Sequence, residues 1–248
     1  MSPPKGLNAF EDLKALGFDD LDARLLADHF EDADRRGRPG HGVSRIPWLR
    51  SLPDLDPGAQ PKRLSFDPGH ERWDGDGALG YLTLARIVEA QLAEPPEAVR
   101  LVVASNCFPT GFLGYWVRRL AEGGLVAALT ATSPPRLASP EGGPPLAGTN
   151  PLAIAVPSSD GRPLVADVSM GKVTYGDVLR GAAAEEDLVP FGEEQAYKAF
   201  ALAVGLHMLV SALAGEGYGA VLLVAQPEHD PVPGLRALAG DVRLPGDR

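Results

Sequence analysis

The sequence predicts a mixed α/β protein, either α+β or α/β with a mixed sheet. Three observations point there. Apolar residues recur at helical spacing through the first 36 positions, whereas from residue 99 onward the apolar runs are short and bounded by Gly, Pro, Asn or Asp. Helix-like and strand-like segments then interleave without strict alternation. The 29 glycines and 24 prolines are dispersed between apolar segments, as expected of many tight turns. At 248 residues the chain is long enough for one large core or two modest ones.

Phe10, Leu13 and Leu16 form the stripe of a first helix. Asp19 or Asp20 then caps a second, whose Leu21, Leu25, Leu26 and Phe30 recur at helical spacing up to Arg36 and Gly37. Glu31, Asp32 and Asp34 fall in its last turns, where the helix dipole disfavours acids by about 0.3–1 kcal/mol each. Residues 51–76 are rich in Pro, Asp and Gly and read as a loop or crossing. The segment 74–80 reads as a glycine-rich turn feeding a helix, Tyr81 to Ala93. Strands are expected over 99–105, 125–132, 152–157, 164–168 and 218–225, with a helix around 112–122 ending at Gly123-Gly124. Proline-bearing loops fill 134–151. The stretch 199–213 is apolar on nearly every face and predicts a buried helix.

Composition excludes several classes. A net charge of -10 repels phosphate backbones, so no nucleic-acid partner is expected, although a few local arginines can still capture a small anion. One cysteine, Cys107, permits no internal disulfide and no multi-cysteine zinc site. His29, His70 and His229 lack metal-ligand spacing, and no metal site is expected. Residues 1–13 show no apolar core, and no window approaches the roughly 18 apolar residues of a membrane span. A cytoplasmic location without membrane attachment is the expectation.

The segment 34–48, DRRGRPGHGVSRIPW, carries the chemistry. Gly40 and Gly42 bracket His41 and keep bulk away from its ring. If the chain is helical beyond Gly42, His41 and Arg45 share a face. A proton donor would then stand beside a carboxylate fork, as reduction of a 2-oxo or 2-imino acid requires. The alternative is an Arg-rich turn with a surface histidine. Gly75, Gly77 and Gly80 spell G-x-G-x-x-G, but residues 67–74 make a poor buried strand, and a structural turn fits better than a dinucleotide loop. Gly148-Thr149-Asn150-Pro151 offers backbone N–H groups, a hydroxyl and a carboxamide in one turn, for a phosphate or amide or for its own backbone. Asp167-Val168-Ser169 puts a carboxylate at a strand end, as an orienting group or a cap. Lys198 begins the apolar helix, either snorkelling to solvent or facing an anion. His207 reads as a core histidine.

Taken in order, these segments resemble the malate/L-lactate dehydrogenase family of the second type. That family includes sulfolactate, ureidoglycolate and diketogulonate dehydrogenases and the piperideine- and pyrroline-2-carboxylate reductases. Residues 33–47 match its A-D-x-x-G…H-G-x-x-R-x-P signature, residues 139–157 its P-x-G-G…L-G-T-N-P-I-A-I-A-x-P run, and residues 167–170 its D-M-A-T. The resemblance implies a non-Rossmann, largely antiparallel mixed sheet flanked by helices. It implies a homodimer and an NAD- or NADP-dependent transfer of hydride to or from a small anionic 2-hydroxy or 2-oxo acid. Cyclic 2-imino acid reduction, or a paralogue keeping only fold and dimer, are the alternatives. It also implies three regions: a substrate-side helical region (1–68), a cofactor-binding sheet region (69–190), and a helix and strand returning to the first (191–248).

By the same resemblance His41 donates a proton, Arg45 pairs with the substrate carboxylate, and Ser133, Gly148, Thr149, Asn150, Asp167, Val168, Ser169 and Lys198 hold the cofactor. Departures are plain. Cys107 stands where an S-N-H-F-G run has a histidine, and a thiol titrating near pH 8–9 does not replace a base tuned to neutrality. Glu193 and Glu194 stand in a loop that is glycine-rich in the family but has lost those glycines here, and the excursion after Asp167 is short. The sequence ends at Arg248, where relatives continue into a segment that helps close the cofactor site.

Overall fold

The computed structural model describes residues 8–247, so the reading of the first 13 positions falls partly outside it. Helix α1 (Ala9–Ala15) starts at Asn8, whose side chain accepts the Glu11 N–H. Helix α2 (Asp20–Arg35) starts at Asp19, which accepts the Asp22 N–H at 2.8 Å, as the sequence predicted. Two 3-10 turns, Pro39–His41 and Val43–Arg45, lead into the short α3 (Ile46–Leu49). The remaining helices are α4 (Gly80–Ala93), α5 (Leu113–Glu122), α6 (Tyr175–Leu179), α7 (Ala196–Ala214) and α8 (Val232–Ala239).

Nine strands are described: β1 (Lys62–Asp67), β2 (His70–Asp74), β3 (Val99–Ser105), β4 (Val126–Ala131), β5 (Leu137–Ser139), β6 (Gly142–Ala147), β7 (Leu152–Val156), β8 (Leu164–Val168) and β9 (Ala220–Ala225). Seven form one sheet in the order β1-β2-β3-β9-β4-β7-β8. Only the β2–β3 pairing is parallel. β5 and β6 form a separate hairpin. The sheet is therefore mixed and largely antiparallel, as the resemblance implied. The main core lies between the sheet and helices α1, α2, α4 and α5, around Trp116, Tyr81, Phe18 and Phe30.

Several expectations need correction. Residues 51–76 are not a plain loop, because β1 and β2 lie within them. β2 escaped notice because its inward residues include Glu71, a fully buried acid that breaks the apolar alternation. The 134–151 stretch holds the β5–β6 hairpin, made exposed and proline-bearing by its edge position. Helix α7 is not buried. Ala199, Ala203, Val210 and Ala214 face the protein, while Leu202, Met208 and Leu209 are exposed. The stretch Glu193–Ala214 is also long and apolar enough, by composition alone, to cross a membrane, against the expectation that no window is.

The glycine-rich turn does sit between a strand and a helix, with β2-α4-β3 forming a parallel crossover. Its glycines nevertheless face protein. A Cβ on Gly75 would lie 2.0 Å from Asn106 O, and one on Gly80 2.7 Å from Phe108 N. Close passage of the 106–108 chain explains them, and the structural-turn reading holds.

Candidate active site

The turn between α2 and α3 is shaped by one acid. Asp34 Oδ2 accepts the Val43 N–H at 2.9 Å, and a Cβ on Gly42 would fall 1.9 Å from Asp34 Oδ1. Only glycine leaves room for that carboxylate, so the apparently misplaced acid of the α2 terminus fixes the turn. Beyond it the chain is 3-10 rather than α, yet His41 and Arg45 still line the same cavity, about 350 Å³ in volume. Arg45 is buried, with its guanidinium 3.9 Å over the Trp48 ring. Among the described residues its Nε and Nη1 find no hydrogen-bond partner. A buried cation with two unused donors is costly unless an anion completes it.

His41 is half-buried. Burial, then the Arg45 charge, push its pKa down to about 4, with Asp177 opposing and Arg38 reinforcing. Its ring stacks on Phe112 at 6.2 Å. Phe112 is held from behind by His29, which is fully enclosed and whose Nε2 accepts the Phe112 N–H at 3.0 Å. Gly111, at φ +71°, must be glycine, since a Cβ there would meet Tyr81 Cε1 at 2.1 Å and His29 Cε1 at 2.5 Å. The 110–112 wall is thus moulded on an aromatic cluster of His29, Tyr81, Tyr115 and Trp116.

The opposite wall comes from strand ends. Ser133 follows β4, Thr149 precedes β7, Asp167 lies near the end of β8 and Ser169 follows it; all line the cavity. Gly148 is where two chains cross, as a Cβ would lie 2.2 Å from Ser133 Oγ. Asp167 accepts the Gly114 N–H at 2.6 Å, and burial raises its pKa to about 6 against the pull of that bond and of Arg38. Helix α6 closes the rim. Its Thr174–Asp177 capping box packs on Gly40, leaving no space for a side chain on Gly176, where a Cβ would fall 1.8 Å from Gly40 O.

A family model described as malate/L-lactate dehydrogenase matches residues 9–188. The chain belongs to the malate/L-lactate dehydrogenase family. It is 33% identical over 180 residues to the (2R)-3-sulfolactate dehydrogenase (NADP(+)) of Chromohalobacter salexigens, covering 71% of this chain and 54% of that one. It is 32% identical over 171 residues to the Delta(1)-pyrroline-2-carboxylate/Delta(1)-piperideine-2-carboxylate reductase of Pseudomonas putida, covering 67% and 50%. The chain spans about half the length of these curated relatives. In fold it is similar to a dehydrogenase from Sinorhizobium meliloti, with a TM-score of 0.82 at 24% identity, over 96% of this chain and 86% of that one.

Not every residue that family membership suggested reaches the cavity. Cys107 is fully buried, its Sγ 3.8 Å from Gly80 O, and burial pushes its pKa up to about 12. Pro109 and Thr110 line the cavity in its place. Asn150 is committed to structure, its amide donating to Ala203 O at 2.9 Å and its oxygen accepting the Ser133 N–H at 3.3 Å. Val168 points outward and is exposed, as strand alternation requires between Asp167 and Ser169. Lys198 is exposed and donates to Gln195 Oε1 at 2.6 Å, so snorkelling describes it.

Residues that sequence reasoning missed include Arg38, Asp34, Trp48 and Arg118. Arg38, Phe112 and Asp167 also line a second cavity of about 330 Å³, together with Arg36, Arg118 and Arg243. Arg118 is buried and its Nε lacks a hydrogen-bond partner among the described residues. Burial, then the Arg36 charge, push its pKa down. The segment 243–247 reaches this cavity because Val165 N–H bonds to Pro245 O at 3.2 Å. Only the arginine in the i+3 turn after Gly37 and the stacking Trp three places after Arg45 had a readable signal.

Proposed function

We propose that the protein is a nicotinamide-dependent oxidoreductase of small 2-hydroxy or 2-oxo acids, with reduction of a cyclic 2-imino acid as the nearest alternative. One observation carries the reading: Arg45, buried with two unpaired donors, shares a cavity with His41. The carboxylate of a 2-oxo acid would accept from those donors as a fork and bring the carbonyl toward the imidazole.

The donor set fits the cofactor. Hydroxyls of Ser133, Thr149 and Ser169, the Asp167 carboxyl and the apolar Pro134 and Pro151 offer a bed for an amide-bearing ring and its ribose. The arginines of the adjoining cavity, Arg118 and Arg38 among them, suit its phosphates, a role for which Lys198 is badly placed. The bound nicotinamide supplies or takes the hydride. His41 gives the proton to the carbonyl oxygen as hydride reaches C2, and removes it in the reverse direction.

The low pKa of His41 has a use in this scheme. In the free cavity Arg45 disfavours the imidazolium. A carboxylate on Arg45 neutralises that charge, so substrate binding itself promotes protonation of the acid it needs. Asp177 on the α6 side favours the same state.

Helix α7 supports a homodimer. Between Lys198 and Glu216 it carries no Asp, Glu, Lys or Arg, and it exposes Leu202, Met208 and Leu209 on a chain of net charge -10. A second copy pairing through this face would cover it without opposing charges.

NADH and NADPH fluorescence titrations, followed by turnover assays with pyruvate, oxaloacetate and a cyclic imino acid, test the activity. Binding of at least one cofactor and reduction of at least one acid are expected, with His41→Ala folded but inactive. No response to either cofactor at millimolar concentration defeats the proposal, as does full activity in His41→Ala.

A further inference from the structure

We propose that the cavity selects a substrate bearing two acidic groups, and that Arg136 is the specificity-determining residue that holds the second one. The inference deepens the preceding reading and rests on it for the position of the first carboxylate, on Arg45.

Arg136 follows Ser133 in the chain and lines the same cavity as His41 and Arg45, with its guanidinium reaching across to α6 at the rim. Its main chain is fixed at the mouth of the β5–β6 hairpin, where its N–H bonds to Ala147 O at 2.9 Å. Its guanidinium lies over the Tyr175 ring at 3.5 Å from the centroid. Tyr175 opens α6, the helix anchored by the Thr174–Asp177 box and by the contact of Gly176 with Gly40. Stacking on a ring held this way immobilises the guanidinium plane and leaves its N–H edge for a ligand.

No acid among the described residues forms an ion pair with Arg136. The cations of the excursion that carries Tyr175 are different: Lys172 pairs with Asp187 at 3.8 Å, and Arg180 with Asp177 at 3.2 Å.

The charges in the cavity lead to the same conclusion. Arg38, Arg45 and Arg136 line it, against the single carboxylate of Asp167. A monocarboxylic acid on Arg45 leaves Arg136 without an anionic partner. Arg38 faces the second, arginine-lined cavity and the phosphates assigned there. Arg136 lines only the first, where the far end of a short chain extending from C2 would arrive. A second carboxylate, or an acid of similar size, completes it.

Tryptophan fluorescence provides a readout without turnover, because Trp48 stacks on Arg45. Malate and lactate are titrated against the protein, then against Arg136→Met and Arg136→Lys, with unfolding temperature as the folding control. The expected result is at least tenfold tighter binding of malate than lactate, lost in Arg136→Met and partly kept in Arg136→Lys, with lactate binding unchanged. Equal affinities in the parent protein overturn the proposal. So does an Arg136→Met variant that keeps the malate preference while weakening NADH or NADPH, since Arg136 would then serve the cofactor. Malate preference without reduction of any acid leaves this inference standing and defeats the proposed activity instead.

Discussion

Two buried arginines in this protein show opposite states of the same side chain. Arg100 lies between β2, β3 and α4, with its Nε donating to Pro68 O at 3.0 Å and its Nη1 to Gln91 Oε1 and Glu94 O at 2.8 Å each. It sits 4.0 Å from the fully buried Glu71, which also accepts from Gln91, Arg63 and Trp73. Arg45 is about as enclosed, at 8% exposure against 3%, yet its Nε and Nη1 have no partner among the described residues, and its neighbours are the face of Trp48 and the Tyr81 hydroxyl. Folding completed one site and left the other open. A burial figure alone would rank the two alike; the hydrogen bonds separate structure from function.

That contrast is broken most easily at Arg100. Replacing it with Met leaves Glu71 with less compensation in the core, and a buried pair deprived of one partner loses about 3–5 kcal/mol. Urea unfolding of Arg100→Met should show a loss of that order, with cofactor binding retained wherever the variant is folded. A loss below about 1 kcal/mol would mean that the network is not structural in the sense argued.

Arg45→Met should behave the opposite way. Removing an unpaired buried cation relieves desolvation, so stability should stay level or rise slightly. Activity should not. Losing a charge-assisted fork costs about 1.5–3 kcal/mol, roughly a 10- to 150-fold fall in kcat/KM carried mainly by KM. Steady-state kinetics beside a melting curve separates the two effects. A destabilised variant with an unchanged KM would make Arg45 a second Arg100.

The same contrast explains what the sequence could convey. The α2 cap at Asp19, strands β3, β4 and β7 to β9, and the pairing of His41 with Arg45 follow from local pattern, because each is settled within a few residues. β2 was hidden because Glu71 is satisfied by groups at positions 63, 73, 91 and 100, which no local window contains. Cys107 was misplaced for a similar reason. The family motif set it against a histidine, but the tight passage of residues 106–108 over Gly75 and Gly80 turns its thiol into the core. The exposed face of α7 is equally invisible, since composition records that a helix is apolar and not which neighbour covers it.

Arg45 also sets the acid, which sharpens the comparison through pH. With His41 near pKa 4 in the free protein, kcat/KM for reduction should fall about tenfold per pH unit above that value. In the oxidation direction it should be level above about pH 5, where the imidazole is already neutral. Arg45→Met should move both inflections upward, because the larger of the two charges that oppose protonation is gone while burial and Arg38 remain. Profiles that ignore the substitution would show that Arg45 and His41 do not share a field.

His29 is the intermediate case, with one nitrogen satisfied and the other, Nδ1, without a partner among the described residues. Burial, then the charge of His41, push its pKa down to about 3. The unfolded chain takes up a proton near pH 6.5 while the folded one does not. Stability is therefore complete above that pH and declines as pH falls toward about 3, by roughly 1.4 kcal/mol per unit. His29→Leu should lose about 1–3 kcal/mol at pH 7, because the buried Phe112 N–H loses its acceptor. It should also lose the acid slope, so the two unfolding curves should converge and cross near pH 5. Chemical unfolding between pH 7 and 4.5 measures this directly. Parallel curves would show that His29 is protonated within the fold, leaving the wall beside His41 to be held by packing alone.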